Sequence, residues 1–394
     1  MTSRLYYTDA YATAFDGRIT DVSADGRRVY LDRTAFYPTS GGQPFDLGSL
    51  GGARIADVVD EDERVAHVLA APLAGQTIGD TVRGEIDWQR RFDHMQQHTG
   101  QHVLSAVFAD LFGYETVSVH FGAERSSLDL DVGAIDAARL GEAERRANKI
   151  VWDNRPVSVT FEDSSTATGL RKPPPRAGTL RVVTIAELDR SACGGTHVRA
   201  TGEIGTITLR GTERVRKQTR VEFLCGARVV RQARADFEAL SAIALSVKAS
   251  ITEAPALVAA QSAELRDLTA TRKRLEGELA VHQARALYEM TAPTAGGVRV
   301  AIVRRDGGSL EELRPLAQAF GSLSRAVFVA AVASPPTVLV AASDDAGIDA
   351  GSILKPALAA AAGRGGGSPR LAQGTVPNAD TLDGVVDAIR AAVA

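Results

Sequence analysis

In the first ninety residues, apolar and polar positions alternate in short runs broken by Gly, Asp and Pro: RRVYLDRTAFYP, TSGGQPFDLGSLGG, ARIADVVDEDERVAHVLA and TVRGEIDW. Period-two patterning buries one face of a pleated strand, so this stretch reads as a small, mostly β module over 1–90. Between 91 and 235 the pattern is mixed. HTGQHVLSAVFADLFG carries Val103, Leu104, Val107, Phe108 and Leu111 on one helical stripe that ends near Gly113. ETVSVHFG, SSLDLDV and PVSVTFE read as strands, 134–152 as a helix, and TGLRKPPPRAGTLRVVTI as a proline-rich loop leading into a buried strand.

From 236 to 290 the chain is poor in glycine and helical, interrupted around Pro255. Val258, Leu265 and Leu279 share one heptad position, while Leu268 and Leu275 share the other. Arg272 and His282 interrupt that seam, so an imperfect helical hairpin or coiled-coil arm is expected. The remaining residues, 291–394, return to α/β character. GVRVAIVRR, SRAVFVAAVA and TVLVAA are strand candidates, and 311–320, 349–362 and 380–393 are helix candidates. AAGRGGGSPRLAQG is too rich in glycine for a helix, and Gly365, Gly366 and Gly367 could turn backbone N–H groups toward an anion. The whole is an α+β multidomain chain.

At 394 residues, 44% hydrophobic and 24% charged, the composition is that of a globular protein large enough for several cores. The first residues lack a signal-peptide pattern and no apolar run is long enough to span a membrane, so a cytoplasmic protein with no membrane partner is expected. A formal net charge of -3 excludes indiscriminate coating of nucleic acid. Locally the balance reverses. Between Arg210 and Arg234 there are eight basic residues, among them Arg216, Lys217 and Arg220, against Glu213 and Glu222.

The candidate chemistry lies in HMQQHTGQH. Histidines four apart face the same side of a helix, and two adjacent rungs of the ladder His94, His98, His102 can reach one ion. In SACGGTHV, Cys193 and His197 flank a Gly-Gly turn able to bring both side chains to one point. His98, His102, Cys193 and His197 together form a donor set that zinc accepts in tetrahedral geometry, one ion per chain. His94 has no counterpart and reads as part of a polar helix face, and Cys225 reads as a core thiol. Thr99 beside a ligand, His120 on the following strand and the Gly194-Gly195 backbone are candidates for contact with a substrate. Gln43, after two glycines, would sit on a tight turn close to whatever the β module packs against.

FYPTSGGQP, HTGQHVL, CGGTHV and KQTRVEFLCG occur in the order found in the editing region of alanyl-tRNA synthetases and in freestanding alanyl-tRNA editing proteins, and GRGGGSPRLAQG resembles the C-terminal DHHA1 domain of their long form. The resemblance implies a zinc-dependent hydrolase acting in trans on mischarged tRNA(Ala), on seryl and glycyl esters, with alanyl esters spared. It implies a small β barrel over 1–90, a two-layer α/β zinc-containing editing domain over 91–235, a helical linker over 236–290 and a DHHA1-like domain over 291–394. His120 and Thr99 are the expected catalytic or hydroxyl-recognising groups. Gln43, Gly194, Gly195, Arg216, Lys217, Arg220 and Gly365 to Gly367 are the expected substrate and tRNA contacts. A homodimer through the helical arm or the C-terminal domain is also expected. The chain departs from the family pattern at Thr39 and Ser40, where an acidic residue is usual, at Lys217-Gln218, and at Gly100, where alanine is usual. No room for an aminoacylation domain is expected before Phe36. Two alternatives stand beside this reading: an RNA-binding or assembly protein with a purely structural zinc, and a DHH-type phosphoesterase, for whose triplet Asp93-His94-Met95 is the only near match.

Overall fold

The computed structural model describes residues 1–173 and 177–393, so part of the proline-rich loop lies outside the described residues. The chain divides into two compact units, Met1–Ala242 and Ile243–Ala394.

The first unit opens with strands Ala14–Val22, Arg28–Leu31, Gly48–Leu50, Ala53–Glu61, Arg64–Leu69 and Thr81–Ile86. Here the expected barrel is corrected to two antiparallel sheets. One pairs 14–18, 81–86, 48–50 and 53–54; the other pairs 19–22, 28–31, 64–69 and 55–61. Irregularities at Ile19/Asp21 and Ile55/Asp57 break the ladders of the two longest strands. Each of these strands therefore bends from one sheet into the other. Pairing runs round the module through these two corners, and neither sheet is by itself closed into a barrel. Ile19, Val29, Leu31, Phe36, Leu50, Val58 and Val65 fill the interior.

The expected two-layer domain is likewise refined, because its strands are split between two sheets. Ile207–Val215, Gln218–Cys225, Ser126–Leu130 and Thr116–Phe121 form one, and Val157–Asp163, Thr179–Ile185 and Asp189–Ala192 the other. Helices α1 (Trp88–Phe112) and α2 (Ala137–Trp152) share one core with the four-stranded sheet, through Val103, Val107, Phe108, Ala147, Ile150, Leu128, Val221 and Phe223. Asp87 caps α1, its side chain accepting from the N–H of Arg90, and Gly113 ends the helix in the left-handed conformation at φ 69°.

Apolar periodicity misses how deeply α1 is buried. Its residues from His94 to Phe108 are all covered, polar ones included. The polar side chains persist there because they are paired. Gln97 exchanges two hydrogen bonds with the backbone of Cys225, and Gln96 donates to the Glu203 carbonyl. Gly100 lies against Cys225, where a Cβ would overlap the sulfur. Arg91 and Asp46 form a fully buried ion pair; Arg91 Nε donates to Asp46 Oδ1 at 2.9 Å, and the same guanidinium donates to the carbonyls of Ala10 and Ala35. Such a pair gives orientation more than net stability, and here it fixes α1 against the β module.

Helix α3 (Ala227–Ser246) leads to the second unit, which opens with α4 (Ala254–Met290), with proline in its first turn. Leu265, Leu268, Leu275 and Leu279 of α4 are exposed, whereas Ala280 and Ala284 are buried. Strands Arg299–Arg305, Ala326–Ala333, Pro336–Ala342, Leu371–Thr375 and Arg364–Gly367 form a mixed sheet in that order. Along Ala326–Ala333 successive side chains enter different cores, Val327 and Val329 one, Phe328 and Ala330 the other. The sheet is thus covered on both faces, by α5 (Leu310–Gly321) on one and by α6 (Ala350–Ala360) and α7 (Ala379–Val393) on the other. Gly365 and Gly367 lie on the edge strand, where a Cβ would overlap the partner strand's backbone. No described helix is long and apolar enough to cross a membrane.

Buried histidines make the first unit acid-sensitive, His67 among them. His67 is fully enclosed, its Nδ1 3.0 Å from the Val29 carbonyl and its Nε2 2.7 Å from Thr34 Oγ1. Nδ1–H therefore donates and Nε2 accepts the threonine proton, which is the neutral ring. Burial pushes its pKa down to about 4. The folded value lies below the unfolded one, so the stabilisation is complete above about pH 6.5 and is lost as pH falls toward 4, about 3 kcal/mol in all. Urea unfolding followed by tryptophan fluorescence, which reports only this unit because both tryptophans (Trp88 and Trp152) lie in it, should show this loss. His67→Gln should lower stability at pH 7 and flatten the slope between pH 6.5 and 4.

Candidate metal centre

The tight turn at TSGGQP is a two-residue hairpin. Ser40 and Gln43 exchange backbone hydrogen bonds at 3.1 and 2.9 Å, and Gly41 and Gly42 between them have φ of 57° and 86°. Two successive positive φ values call for glycine. The turn delivers Gln43 into the first unit's interior, where its Oε1 lies 2.8 Å from His98 Nδ1 and accepts from the N–H of Thr196 at 3.1 Å, while its Nε2 donates to Thr196 Oγ1 at 2.8 Å.

His98 is one of three imidazoles whose Nδ1 is engaged in this way. His102 Nδ1 lies 2.8 Å from Asp189 Oδ2, and His197 Nδ1 lies 3.1 Å from Thr99 Oγ1, which also accepts from the N–H of Val198 at 3.2 Å. Asp189 is held in turn by Arg171 Nε at 2.8 Å and by Ser191. With each Nδ1 occupied, the opposite nitrogens are left to converge. Cys193 Sγ lies 3.4 Å from both His98 Nε2 and His197 Nε2, and one ligand atom from each of His98, His102, Cys193 and His197 falls within 4.8 Å of the others.

This arrangement fits a tetrahedral cation. Zinc–sulfur and zinc–nitrogen bonds of roughly 2.3 and 2.0–2.1 Å put sulfur and nitrogen ligands roughly 3.5 Å apart. The protonation of Cys193 and His197 points the same way. Burial alone would raise the Cys193 thiol, but the His98 and His197 rings hold it well below its usual value, and the N–H of Gly195 points at the sulfur from 3.4 Å. Burial pushes His197 down to about 3, which leaves its Nε2 unprotonated; on His102 burial also pushes down, but Asp189 and Cys193 together hold the ring up to about 9, so a cation bound there displaces a proton from Nε2. Three rings and a thiolate at one point are a donor set for a dication.

The other expected site residues fall elsewhere or take other parts. Thr99 stands behind His197 and acts through it. His120 is corrected in position. It alternates with Val119 and Phe121, and the Phe121 ring packs on His98 with centroids 5.1 Å apart, so His120 points to the opposite face of the sheet. There it lies 3.3 Å from Asp129 and 3.1 Å from Arg220, whose guanidinium is already bidentate on Asp129 at 2.7 and 3.0 Å. Arg216 and Lys217 form the exposed tip of the hairpin 207–225, with Arg216 at φ 59°. Gly194 is exposed beside the Tyr7 hydroxyl, and Gly195 lies so close to the His98 ring that a Cβ would overlap it. His94 does not lie on a solvated face. It is buried with neither ring nitrogen hydrogen-bonded, and burial pushes its pKa down to about 4. Cys225 is a core thiol.

Sequence reasoning missed Asp189 and Arg181, and it gave Arg171 to tRNA binding, whereas Arg171 Nε donates to Asp189. The signal for the first was present in DRSAC, where period two puts Asp189, Ser191 and Cys193 on one side of a strand.

Residues 180–221 match the family described as Threonyl and Alanyl tRNA synthetase second additional domain, and residues 297–394 match the DHHA1 domain. The alanyl-tRNA editing protein AlaX-L of Pyrococcus horikoshii is 30% identical over 395 residues, which is 95% of this chain and 95% of that protein. The chain belongs to the alanyl-tRNA editing protein family. The bovine alanyl-tRNA editing protein Aarsd1 is 34% identical over 72% of this chain and 64% of its own length. The alanine–tRNA ligase of Methanoregula boonei is 33% identical over 97% of this chain, which spans only 42% of the ligase. The metal-ligand candidates Cys193 and His197 lie within the first matched segment, and family membership together with a four-donor cluster able to hold a metal ion supports an enzymatic activity.

Two substitutions test the geometry. Gln43→Leu keeps the volume but frees His98 Nδ1, and the expected loss of metal affinity is about 10- to 100-fold, measured by competition against a chromophoric chelator, with far-UV circular dichroism unchanged. Gly195→Ala, which forces the His98 ring aside, should lower affinity at least as much.

Proposed function

We propose that the protein is a trans-editing hydrolase that removes serine, and to a lesser degree glycine, esterified to tRNA(Ala) while sparing the alanyl ester. The observation that carries this reading is the convergence of His98, His102, Cys193 and His197 in a chain of the alanyl-tRNA editing family. The donor set suits zinc, one ion per chain, and when bound such an ion supplies Lewis-acid polarisation of an ester carbonyl or a grip on the substrate amine. The protein's own contribution is orientation. Gln43, Asp189 and Thr99 hold the rings, and the half-buried Cys193 beside the exposed Gly194 is the side from which an ester would approach. Discrimination against alanine follows if the serine hydroxyl satisfies polar groups that a methyl leaves unpaired, an effect that can reach about four decades in favourable sites.

In this reading the four parts of the chain divide the work. The β module over 1–90 carries Gln43, 91–235 carries the metal, and the Arg216-Lys217 tip together with the glycine-rich hairpin of 291–394 meets tRNA phosphates, which position the RNA without reading it. The work takes place in the cytoplasm. Purified protein incubated with Ser-, Gly- and Ala-tRNA(Ala) should release serine in a chelator-sensitive way and leave the alanyl ester intact, and a folded His98→Ala variant should lose at least a hundredfold in rate. A folded, zinc-loaded protein that turns over no ester contradicts the assignment and favours a structural zinc in an RNA-binding protein.

The exposed seam of α4, within the expected arm of 236–290, suits a second copy of itself. An antiparallel pairing sets Val258 against Leu275 and Leu265 against Leu268 of the partner, with Gln261 meeting Arg272, so that apolar faces apolar and polar faces polar. Sedimentation should give a dimer for the wild-type chain, and Leu268→Asp with Leu275→Asp a monomer with its metal retained.

A further inference from the structure

Among the described residues of the first unit three arginines are buried, and two are answered by an acid. Arg91 is paired with Asp46 and Arg228 with Asp93. Arg181, on the strand Thr179–Ile185, is 8% exposed and has no carboxylate partner among the described residues. Its Nε donates to the Tyr7 carbonyl at 3.0 Å, and its Nη1 donates to the carbonyls of Cys193 at 2.7 Å and Gly195 at 2.9 Å. No hydrogen bond from Nη2 occurs among the described residues. Carbonyl dipoles satisfy hydrogen-bonding capacity but not charge, and the anion that acts on Arg181, the Cys193 thiolate, is the one a cation at the metal centre would neutralise, so the buried guanidinium is held at considerable cost.

The unanswered edge opens on a cavity of about 190 Å³. Tyr7, Tyr11, Arg181, Arg199 and His197 line it, so it adjoins the metal ligands directly. Arg199 is exposed, its guanidinium 3.9 Å above the Tyr11 ring and its Nη2 3.6 Å from Asp9, a loose pair that leaves most of its donors free. Aromatic rings beside two arginines form a surface for a ribose and an anionic group.

The chemistry of the substrate selects the anion. An esterified amino acid has no free carboxylate, and its ammonium is repelled by a guanidinium. The nearest negative charge is the phosphate on the 5′ side of the terminal ribose, one sugar ring from the ester, and Arg181 is one peptide unit from the ligand Cys193. We propose that Arg181, supported by Arg199, binds that terminal phosphate and so sets the depth at which the ester meets the metal centre. This rests on the editing reading above and assigns one of its substrate contacts.

The test uses binding and needs no turnover. Uncharged RNA hairpins that end in the CCA sequence of tRNA carry a single neutral methylphosphonate at the last, second-last or third-last phosphate, and their affinities for the full-length, zinc-loaded protein are compared. Neutralising the last phosphate should weaken binding about tenfold or more, the worth of a charge-assisted hydrogen bond, and by more than either of the other two. Arg181→Gln should bind more weakly and no longer distinguish the three RNAs, while Arg181→Lys should restore part of the difference. Equal affinity of the wild-type protein for all three RNAs overturns the proposal, as does an Arg181→Gln variant that keeps the full penalty, which would make Arg181 a brace for the 193–195 loop only. Hydrolysis of the seryl ester, measured separately, judges the editing reading whichever way the phosphate result falls.

Discussion

An imidazole has two nitrogens, and only one can face a metal. The structure depends on how the other is held. Gln43 from the β module, Asp189 from a strand and Thr99 from α1 itself each occupy one Nδ1, so that three rings from two elements turn their remaining nitrogens toward the Cys193 sulfur. A ring free to flip would lose rotational entropy on binding an ion; these rings have lost it during folding. Stability has therefore been invested in a polar interior that only a cation completes.

That interior constrains distant parts of the first unit. Gln43 reaches His98 only if the Gly41-Gly42 turn is tight and the β module is registered on α1. The buried Arg91–Asp46 pair sets that register, and Asp46 also accepts from the N–H of Tyr37 at 2.6 Å, tying the pair to the segment that precedes the turn. Glycine recurs where backbone must come close. Gly195 admits the His98 ring and Gly100 admits Cys225, which accounts for the absence of alanine after the His98-Thr99 pair. In the second unit the same physics has another use. Gly365 and Gly367 admit the close approach of two strands.

The candidate metal cluster was legible in the sequence because helical period four and a Gly-Gly turn are local geometry. The strands and helices of 291–394 were legible for a related reason: long apolar runs such as 326–333 are buried on both faces. What periodicity could not show was long-range pairing. Nothing near His120 in the sequence says which face of its strand meets α1, and the alternation that carries Phe121 to His98 carries His120 away. The burial of α1 was hidden because its covered residues include Gln96, Gln97 and Gln101, which read as a solvated face until their partners in other segments are known. The two-sheet construction of the β module depends on two bulges that leave no mark in the hydrophobic pattern.

X-ray absorption at the zinc edge, on full-length protein purified without added chelator, addresses the central claim most directly. One zinc per chain in a shell of one sulfur and three imidazole nitrogens is the predicted result. A protein that binds no metal at neutral pH, or a shell without sulfur, would contradict the assignment of Cys193, His98, His102 and His197 as its ligands.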